Sequence, residues 1–488
     1  MISLNNIIRK LSSNRVFKYF IEISNIPRAS GNEKFISDYL FNFGKKHKLE
    51  VKQDKLLNII IKKQASKGYE NAPCVILQGH MDMVCEKKKD IEHDFSKDSI
   101  ELIVNGDYIT AGGTTLGADN GIAVAYFLAI LENKDLNHPP LEVLITTQEE
   151  NGMEGVSKVS KENLSGQILI NVDSEEEGKL LVSCAGGIRN IVRLTVEVED
   201  RKEGFKPYKI FVYGLKGGHS GMDIKKGRGN SNKLMGRILN SINNNMELFI
   251  SYINGGLKSN TIPREAEAMI FVKESNEGKL RDIINYYNKV FTKELNISDS
   301  DVTVNLESVE EKPYRIFSKA LTNKIITILM LMPQGVQSMS QNIKGLVESS
   351  INLGVVRTKE DEVTFESAIR SSVKTLKENI VNQIEILCNS IDAAMTIYAD
   401  YPAWEYKEKS YIRDLFISVY KDLYKEEPQI TAVHAGLECG ILKEILGDID
   451  MISFGPNMYD VHTPNERVSI SSVERSYQYL IEVLKRIK

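Results

Sequence analysis

Four short apolar segments constrain the fold of this 488-residue chain most strongly. Each has the length of a buried strand, and a continuous apolar run is typical of a parallel strand that is covered on both faces. The segments are CVILQ (74–78), LEVLI (141–145), QILINV (167–172) and DMISF (450–454). They alternate with amphipathic helical segments, so the sequence predicts an α/β fold with a mostly parallel sheet.

Acidic or histidine residues follow each predicted strand. In the order of the strands they are His80 and Asp82; Glu149 and Glu150; Asp173; and, in a longer loop, Asp460 and His462. Ligands of open α/β sheets bind outside the carboxyl ends of the strands. We therefore expect these side chains to converge at one edge of the sheet.

The middle of the chain has a different pattern. Segments such as IVRLTVEVE (191–199) and YKIFVYGLKG (208–217) alternate apolar and polar residues, as antiparallel strands with one exposed face do. Segment 234–253 has helical spacing. A chain of this length exceeds one ordinary core, so we predict two domains. An inserted α+β domain with an antiparallel sheet would occupy 187–399, and the α/β domain would comprise 1–186 and 400–488.

Near the N-terminus, the segment SGNEKFISDYLFNFGKKH (30–47) has apolar residues at helical spacing. Ser30 is followed three residues later by Glu33, which is the pattern of a capping box. The sequence therefore predicts a helix whose first turn is closed by these two side chains.

Charge and hydropathy exclude several classes of protein. The net charge is −4 and the charged residues are evenly spread, so neither a nucleic-acid surface nor a polybasic membrane anchor is indicated. The N-terminus lacks the uninterrupted apolar core of a signal peptide. The longest apolar run, 121–131, is shorter than the roughly 20 residues that a membrane span needs. We expect a cytoplasmic protein with neither a nucleic-acid nor a membrane partner.

The five cysteines also narrow the chemistry. They are odd in number and form no CxxC pair, which argues against a disulfide framework and against a thiolate zinc site. If the protein binds a metal, its ligands are therefore histidine and carboxylate.

Each candidate ligand also has a structural interpretation. His80 is a metal ligand oriented by Asp82, two residues further on, or it is an ordinary surface or core histidine. Asp119 precedes an apolar helix, where it is an N-cap or a bridge between two cations. If strand geometry persisted to Glu149 and Glu150, one would face a metal and the other a water; otherwise the pair lies in a solvated turn.

Asp173 and His462 have similar alternatives, because the first precedes an acidic run and the second lies in a loop. Taken together, however, the candidates supply only carboxylate and imidazole donors. This set suits a pair of Zn²⁺, Mn²⁺ or Co²⁺ ions.

Six motifs occur in the order QGHMDMV, GTTLGADNGIAVA, TTQEENGMEG, NVDSEE, GLKGGHSGMDI and NMYDVHTPNER. With these motifs the chain resembles the Xaa-His dipeptidases, a branch of the co-catalytic metallopeptidase family that includes carboxypeptidase G, aminoacylase and carnosinase. The similarity covers nearly the whole chain. It implies a catalytic domain interrupted by a lid domain, two divalent metal ions per subunit, and hydrolysis of dipeptides. Zn²⁺ is the expected metal, with Mn²⁺ or Co²⁺ as alternatives.

The resemblance implies a role for each metal ligand. Asp119 matches the carboxylate that bridges the two ions. His80 and Asp173 match the other ligands of one ion, and Glu150 and His462 match those of the second. Asp173 is a glutamate in other branches of the family, and aspartate agrees with the dipeptidase branch.

The resemblance also implies the catalytic groups. Glu149 matches the general base that activates a metal-bridged hydroxide, and Asp82 matches the carboxylate behind the first histidine. In the lid, His219 matches the histidine that approaches the substrate carbonyl. Asn260 and Arg370 resemble the contacts of the substrate carboxylate.

Three questions stay open at this point. His434 resembles a pocket-lining, substrate-binding residue, or it supports the start of a helix. His219 serves either its own active site or that of a neighbouring subunit, and we expect a homodimer. The alternatives to a dipeptidase are an N-acyl-amino-acid amidohydrolase and a non-catalytic, metal-binding relative.

Overall fold

The computed structural model describes residues 11, 13–200, 202–310 and 315–488. The chain divides into two compact units. Unit 1 comprises Met1–Ser183, Tyr406–Ala432 and Leu437–Lys488, and unit 2 comprises Cys184–Glu405 and Val433–Gly436. Each unit has its own hydrophobic core.

Unit 1 is built on an eight-stranded sheet. Its strands, in spatial order, are Glu50–Gln53, Ile59–Lys63, Leu141–Thr146, Val75–His80, Ile168–Asn171, Asp450–Ser453, Lys179–Cys184 and Gln429–Val433. The third to sixth strands are parallel to one another. They contain the four apolar segments, so the predicted α/β class with a mostly parallel sheet is confirmed.

Unit 1 also contains helices and a second, smaller sheet. The described helices of unit 1 are Arg15–Ser24, Lys34–Lys46, Ala118–Glu132, Tyr411–Tyr424, Glu438–Leu446 and Ile470–Arg486, with short 3₁₀ turns at Val156–Lys158 and Lys161–Asn163. The smaller sheet has four strands in the order Met458–Tyr459, Arg467–Ser469, Tyr108–Ala111 and Leu102–Asn105.

The helix Ala118–Glu132 packs directly on the strand Val75–His80. It is buried on every side, which explains why its sequence is apolar throughout. Gly79 allows the close approach, because a Cβ atom there would lie 3.0 Å from the Cβ of Ala123. This packing brings the start of the helix to the end of the strand.

The predicted capping box is wrong. The helix begins at Lys34 with Glu33 as its N-cap residue, and Glu33 makes no side-chain cap hydrogen bond. The hydroxyl of Ser30 instead donates to Oδ2 of Asp82, at 2.7 Å.

Unit 2 contains a nine-stranded antiparallel sheet, so the predicted α+β character is confirmed. Eight strands follow in the order Thr303–Ser308, Phe205–Tyr213, Ala266–Lys273, Phe249–Gly255, Val347–Thr358, Glu362–Ser371, Gly186–Thr195 and Ala394–Tyr401, and Gly335–Met339 also pairs with Val347–Thr358. Two-stranded pairs join Val198–Glu199 to Ile316–Phe317 and Gly218–His219 to Thr261–Ile262.

The helices of unit 2 show one error of the sequence prediction. Those described are Ser231–Asn245, Glu277–Glu294, Lys319–Leu331 and Lys374–Ser390, with 3₁₀ turns at Ile224–Lys226 and Glu274–Asn276. Segment 234–253 is therefore not helical throughout, because its second part enters the strand Phe249–Gly255. Three consecutive asparagines, 243–245, precede the break, and asparagine has low helix propensity.

Among the described residues, no helix is long and apolar enough to cross a membrane.

Candidate metal centre

The candidate ligands come from separate segments of unit 1. His80 ends the strand Val75–His80, and Asp173 lies two residues after the strand Ile168–Asn171. Glu150 lies in the turn after Leu141–Thr146, and His462 lies in the loop after Met458–Tyr459. Asp119 is at the start of Ala118–Glu132, with non-helical backbone angles of φ −79° and ψ 108°. Two strand ends, a turn, a helix start and a loop of unit 1 thus supply the five side chains.

Asp119 lies at the centre of this arrangement. Its Oδ1 is 3.2 Å from Nε2 of His80, and its Oδ2 is 3.2 Å from Nε2 of His462. Nε2 of His80 is also 3.5 Å from Oδ1 of Asp173, and Nε2 of His462 is 2.8 Å from Oε1 of Glu150. The two oxygens of one carboxylate therefore face two different histidines.

Three overlapping groups of side chains could each hold a metal ion. They are His80, Asp119 and Asp173; Asp119, Glu150 and His462; and His80, Glu149 and Glu150. Within each group the ligand atoms lie within 4.8 Å of one another. The donors are imidazole nitrogen and carboxylate oxygen, which fit Zn²⁺, Mn²⁺ or Co²⁺. Because Asp119 belongs to the first two groups, it can contact two ions.

Asp82 connects the two sides of the centre. Its carboxylate is fully buried, and its Oδ1 is 3.4 Å from Nδ1 of His80. It also accepts hydrogen bonds from the backbone N–H groups of Glu149, at 3.1 Å, and Glu150, at 3.2 Å. The strand ends at Thr146, so strand alternation does not orient the two glutamates; Asp82 holds their turn instead.

Burial and neighbouring charges shift the proton affinities of the ligands. Hydrogen bonds to Asp119 and Glu150 raise the pKa of His462 to about 11. Burial raises the pKa of Asp173 to about 6, despite its contact with His80. Burial opposes the ionisation of Asp119, but His462 and His80 lower its pKa well below the ordinary value. Histidines and carboxylates that share protons in this way can exchange those protons for metal ions, because metal ligands must be deprotonated.

Glu149 differs from Glu150 in its environment. Glu150 contacts His462, whereas Glu149 belongs to neither of the two groups that share Asp119. Burial is the main cause that raises the pKa of Glu149 well above its ordinary value, and the carboxylates of Asp173 and Glu438 add to it. Glu149 can therefore hold a proton more readily than an exposed glutamate.

Sequence reasoning missed Asn120, which joins two of the ligand-bearing strands. Its Oδ1 accepts a hydrogen bond from the N–H of His80, at 3.3 Å, and its amide nitrogen donates to the carbonyl of Val172, at 2.7 Å. Its position beside Asp119 in the motif LGADNG was the only indication in the sequence. Asn120 thereby holds the backbone next to His80 and next to Asp173.

Glu438 is a second buried side chain to which the sequence assigned no role. It is fully buried, and its Oε2 accepts hydrogen bonds from the amide of Gln78 and the hydroxyl of Thr146. Gln78 also accepts a hydrogen bond from Asn171, at 2.6 Å. These polar side chains link the three strands just before His80, Glu149 and Asp173, and thus form a buried layer beneath the ligands.

The other four candidate residues lie in unit 2. Gly221 shows that three of them are close together: a Cβ atom there would lie 2.5 Å from the carbonyl oxygen of His434, 3.1 Å from Cε1 of His219 and 3.3 Å from Nε of Arg370. Asn260 lies nearby in the chain path, because its carbonyl accepts a hydrogen bond from the N–H of Ser220, at 2.9 Å.

The individual contacts of these residues are informative. Nδ1 of His219 accepts the N–H of Met222, at 3.1 Å. Arg370 is buried and donates to the hydroxyl of Tyr401, at 3.0 Å. Nε2 of His434 is 2.7 Å from the hydroxyl of Ser350. Burial, reinforced by Arg370, lowers the pKa of His434 to about 3 and lowers that of His219. Both imidazoles are therefore neutral near pH 7.

The chain is similar to known peptidases over nearly its whole length. The sequence model of "Peptidase family M20/M25/M40" matches residues 76–486. The cytosol non-specific dipeptidase of Escherichia coli (strain K12) is 38% identical over 480 residues, with 98% of this chain and 99% of that protein covered. The crystal structure of aminoacylhistidine dipeptidase from Vibrio alginolyticus matches with a TM-score of 0.94 and 37% identity, covering 99% of this chain and 98% of that one.

A more distant structure shares the fold. An aminopeptidase from Bacillus cereus matches with a TM-score of 0.57 and 13% identity, over 97% of this chain and 98% of its own. The resemblance indicated by the six sequence motifs is confirmed by these comparisons.

Proposed function

Because this chain belongs to peptidase family M20/M25/M40 and is a metallopeptidase, we propose that it is a dinuclear dipeptidase that hydrolyses Xaa-His and other dipeptides. The observation that carries this proposal is that the two oxygens of Asp119 face His80 and His462 separately. The Escherichia coli and Vibrio alginolyticus relatives described above are both dipeptidases by name, which supports the substrate class.

We assign one ion to His80, Asp119 and Asp173, and the second to Asp119, Glu150 and His462. Zn²⁺ is our first choice, and the same donors accept Mn²⁺ or Co²⁺. When bound, two such ions polarise the scissile carbonyl and lower the pKa of a water molecule toward neutrality.

Glu149 is proposed as the general base. It takes the proton of the attacking water and returns that proton to the nitrogen of the leaving amine, so the same carboxylate acts as base and then as acid. Its burial supports this role, since burial raises its pKa. Asp82 assists by holding the Glu149–Glu150 turn through two backbone hydrogen bonds.

His219 is proposed to donate a hydrogen bond to the oxygen of the scissile carbonyl. The N–H of Met222 points at Nδ1, so the neutral ring carries its proton on Nε2. Burial and Arg370 lower the pKa of His219 and keep the ring neutral. The Nε2–H group is then available to stabilise negative charge that develops on that oxygen.

Arg370 and Asn260 are proposed to bind the substrate carboxylate, and His434 is proposed to line the substrate pocket. Arg370 is buried, it donates to the hydroxyl of Tyr401 rather than to a carboxylate, and its Nε has no hydrogen-bond partner among the described residues. A guanidinium in this state can grip a terminal carboxylate with two parallel hydrogen bonds. This arrangement would favour short peptides with a free C-terminus.

The main test compares substrates and variants. The purified, Zn²⁺-loaded protein is assayed with Xaa-His dipeptides, other dipeptides and N-acetyl amino acids. We expect dipeptide hydrolysis and, for Glu149→Gln, a loss of turnover of about 10²-fold or more with both ions still bound. Glu154→Gln is the matched control, because Glu154 is an exposed glutamate of the same motif. Cleavage of N-acetyl amino acids alone would favour an amidohydrolase. Unchanged turnover in Glu149→Gln would refute the assignment of Glu149 as the general base.

A homodimer in the cytoplasm also remains part of the proposal. If His219 serves the partner subunit, mixing inactive Glu149→Gln subunits with inactive His219→Ala subunits should restore activity, because one site of each mixed dimer regains both groups. If His219 serves its own subunit, the mixture stays inactive. Light scattering gives the oligomeric state, and a monomer would contradict the dimer.

A further inference from the structure

Glu466 holds the backbone that carries Asp119. Its carboxylate is 2% exposed and accepts hydrogen bonds from four successive N–H groups. Oε2 binds those of Leu116, at 2.7 Å, and Gly117, at 3.0 Å; Oε1 binds those of Ala118, at 2.8 Å, and Asp119, at 3.4 Å. One side chain thus provides the hydrogen-bond acceptors for all four backbone N–H groups of segment 116–119.

Arg28 holds the other side of the same segment. It is 2% exposed, and its Nη2 donates to the carbonyl of Gly117, while its Nη1 donates to the carbonyl of Met81, at 3.0 Å. Gly117 and Gly121 leave room for the guanidinium, because a Cβ atom at either would lie within 2.7 Å of Nη2. Segment 116–119 is therefore bound through its N–H groups by Glu466 and through a carbonyl by Arg28.

Glu466 supplies hydrogen-bond acceptors that the start of a helix lacks. Gly117 has a φ of +68°, and Asp119 and Asn120 have non-helical backbone angles; the N–H groups of 116–119 precede or begin the helix, where no helical carbonyl is available to accept them. A ligand that must face two ions has to be held in one orientation. The hydrogen bonds that Glu466 and Arg28 make to this backbone involve charged groups, and such bonds are stronger than neutral ones.

Glu466 also lies four residues after His462, in the loop that supplies the second histidine. Within this loop the N–H of Glu466 donates to the carbonyl of Thr463, at 3.0 Å. A displacement of Glu466 therefore affects Asp119 and His462 together.

We propose that Glu466 is a positioning residue of the metal centre, which sets Asp119 relative to His462 so that both carboxylate oxygens face ions. The inference rests on the proposed dinuclear site. It assigns to Glu466 no contact with substrate or with the reacting atoms.

The test uses Glu466→Gln and the control Glu142→Gln in the full-length protein. Glu142 is also 2% exposed, and it accepts hydrogen bonds from the N–H groups of Ser165 and Gly166 and from Lys62. It lies at the start of the strand Leu141–Thr146, away from the ligands. The amide in either variant provides one acceptor where the carboxylate provided two.

Metal-free proteins are titrated with Zn²⁺ against a chromophoric chelator, and the cobalt-saturated proteins are compared by their visible absorption. We expect Glu466→Gln to bind Zn²⁺ about 10- to 100-fold more weakly and to show an altered cobalt spectrum. Its kcat should fall while KM for a dipeptide is retained. Glu142→Gln should keep the wild-type zinc affinity and cobalt spectrum.

Measurements on the wild-type protein distinguish failure of the proposed function from failure of the role proposed for Glu466. If the wild type does not bind two ions or hydrolyse dipeptides, the proposed function fails. If it does both and Glu466→Gln matches it, or matches Glu142→Gln, only the role of Glu466 is refuted. If Glu466→Gln does not fold, Glu466→Asp is measured instead: the charge is retained but the side chain is shorter, so we expect an intermediate loss of zinc affinity, and wild-type affinity would overturn the inference.

Discussion

Replacement of Asp82 by asparagine tests how the histidine and glutamate sides of the metal centre are joined. Oδ2 of Asp82 accepts the hydroxyl of Ser30, at 2.7 Å, and the N–H of Glu150, at 3.2 Å. Oδ1 accepts the N–H of Glu149, at 3.1 Å, and lies 3.4 Å from Nδ1 of His80. An asparagine has one oxygen for these donors, and its NH₂ group must face the remaining ones.

The size of the effect follows from these contacts. If the amide oxygen keeps Ser30 and Glu150, its nitrogen opposes the N–H of Glu149, and that buried group loses its acceptor. Hydrogen bonds to charged groups are worth about 1.5–3 kcal/mol, and an unsatisfied buried donor costs about 1–3 kcal/mol. We therefore expect Asp82→Asn to lower the free energy of unfolding by about 2–4 kcal/mol. The substitution also removes the negative charge beside Nδ1 of His80, which keeps only the backbone carbonyl of residue 82, at 3.2 Å, so Zn²⁺ binding should weaken by about 10- to 100-fold.

Asp299→Asn separates the two effects. Asp299 is also fully buried, and its two oxygens accept the N–H groups of Lys216, at 2.7 Å, and Gly229, at 2.8 Å, in unit 2. Urea unfolding of the metal-free proteins and zinc titration are measured for both variants. We expect both to lose stability and only Asp82→Asn to lose zinc affinity. Equal zinc affinity in the two variants would refute the role assigned to Asp82.

Three further predictions concern metal, the buried layer and pH. Chelation should lower the melting temperature, and Zn²⁺ at about 100 times its Kd should restore about 2.7 kcal/mol; an unchanged calorimetric transition would contradict this. Glu438→Ala leaves the amide of Gln78 and the hydroxyl of Thr146 without their acceptor, so urea unfolding should show a loss of about 2–5 kcal/mol. Burial lowers the pKa of His434 to about 3, so below about pH 6.5 the unfolded chain binds a proton that the folded chain excludes, and stability falls as pH drops toward 3. His434→Gln should remove up to about 1.4 kcal/mol per pH unit of that dependence, and identical slopes would contradict the assignment.

The parallel strands could be predicted because the relevant information is local. A run such as LEVLI is apolar at every position except Glu142, and the observed strand Leu141–Thr146 is buried at every position. The end of segment 234–253 could not be predicted in this way. Its apolar residues have a spacing that is compatible with a helix. They form a strand instead, because they pair with the strand Ala266–Lys273. Tertiary pairing overrides a weak local preference.

The ligand types could also be read from the sequence, because metals select donor atoms by chemistry. The residues that position these ligands could not be identified from the sequence. Asn120, Arg28 and Glu466 act through backbone groups of residues that are distant in sequence, and a backbone partner leaves no pattern in the composition around it. Glu466 stood within the motif NMYDVHTPNER, but its residue type alone would equally suit a solvent-facing glutamate.

Ser30 shows why local motifs fail next to such a centre. Its hydroxyl could have capped the helix Lys34–Lys46 by accepting a backbone N–H, a neutral hydrogen bond worth about 0.5–1.5 kcal/mol. It instead donates to the buried carboxylate of Asp82, and a hydrogen bond to a charged group is worth about 1.5–3 kcal/mol. The larger gain also avoids leaving a buried charge with fewer donors. Where charged ligands are buried, nearby polar side chains are therefore drawn away from the roles that their local sequence predicts, and a failed capping box beside a cluster of carboxylates is itself an indication of a functional site.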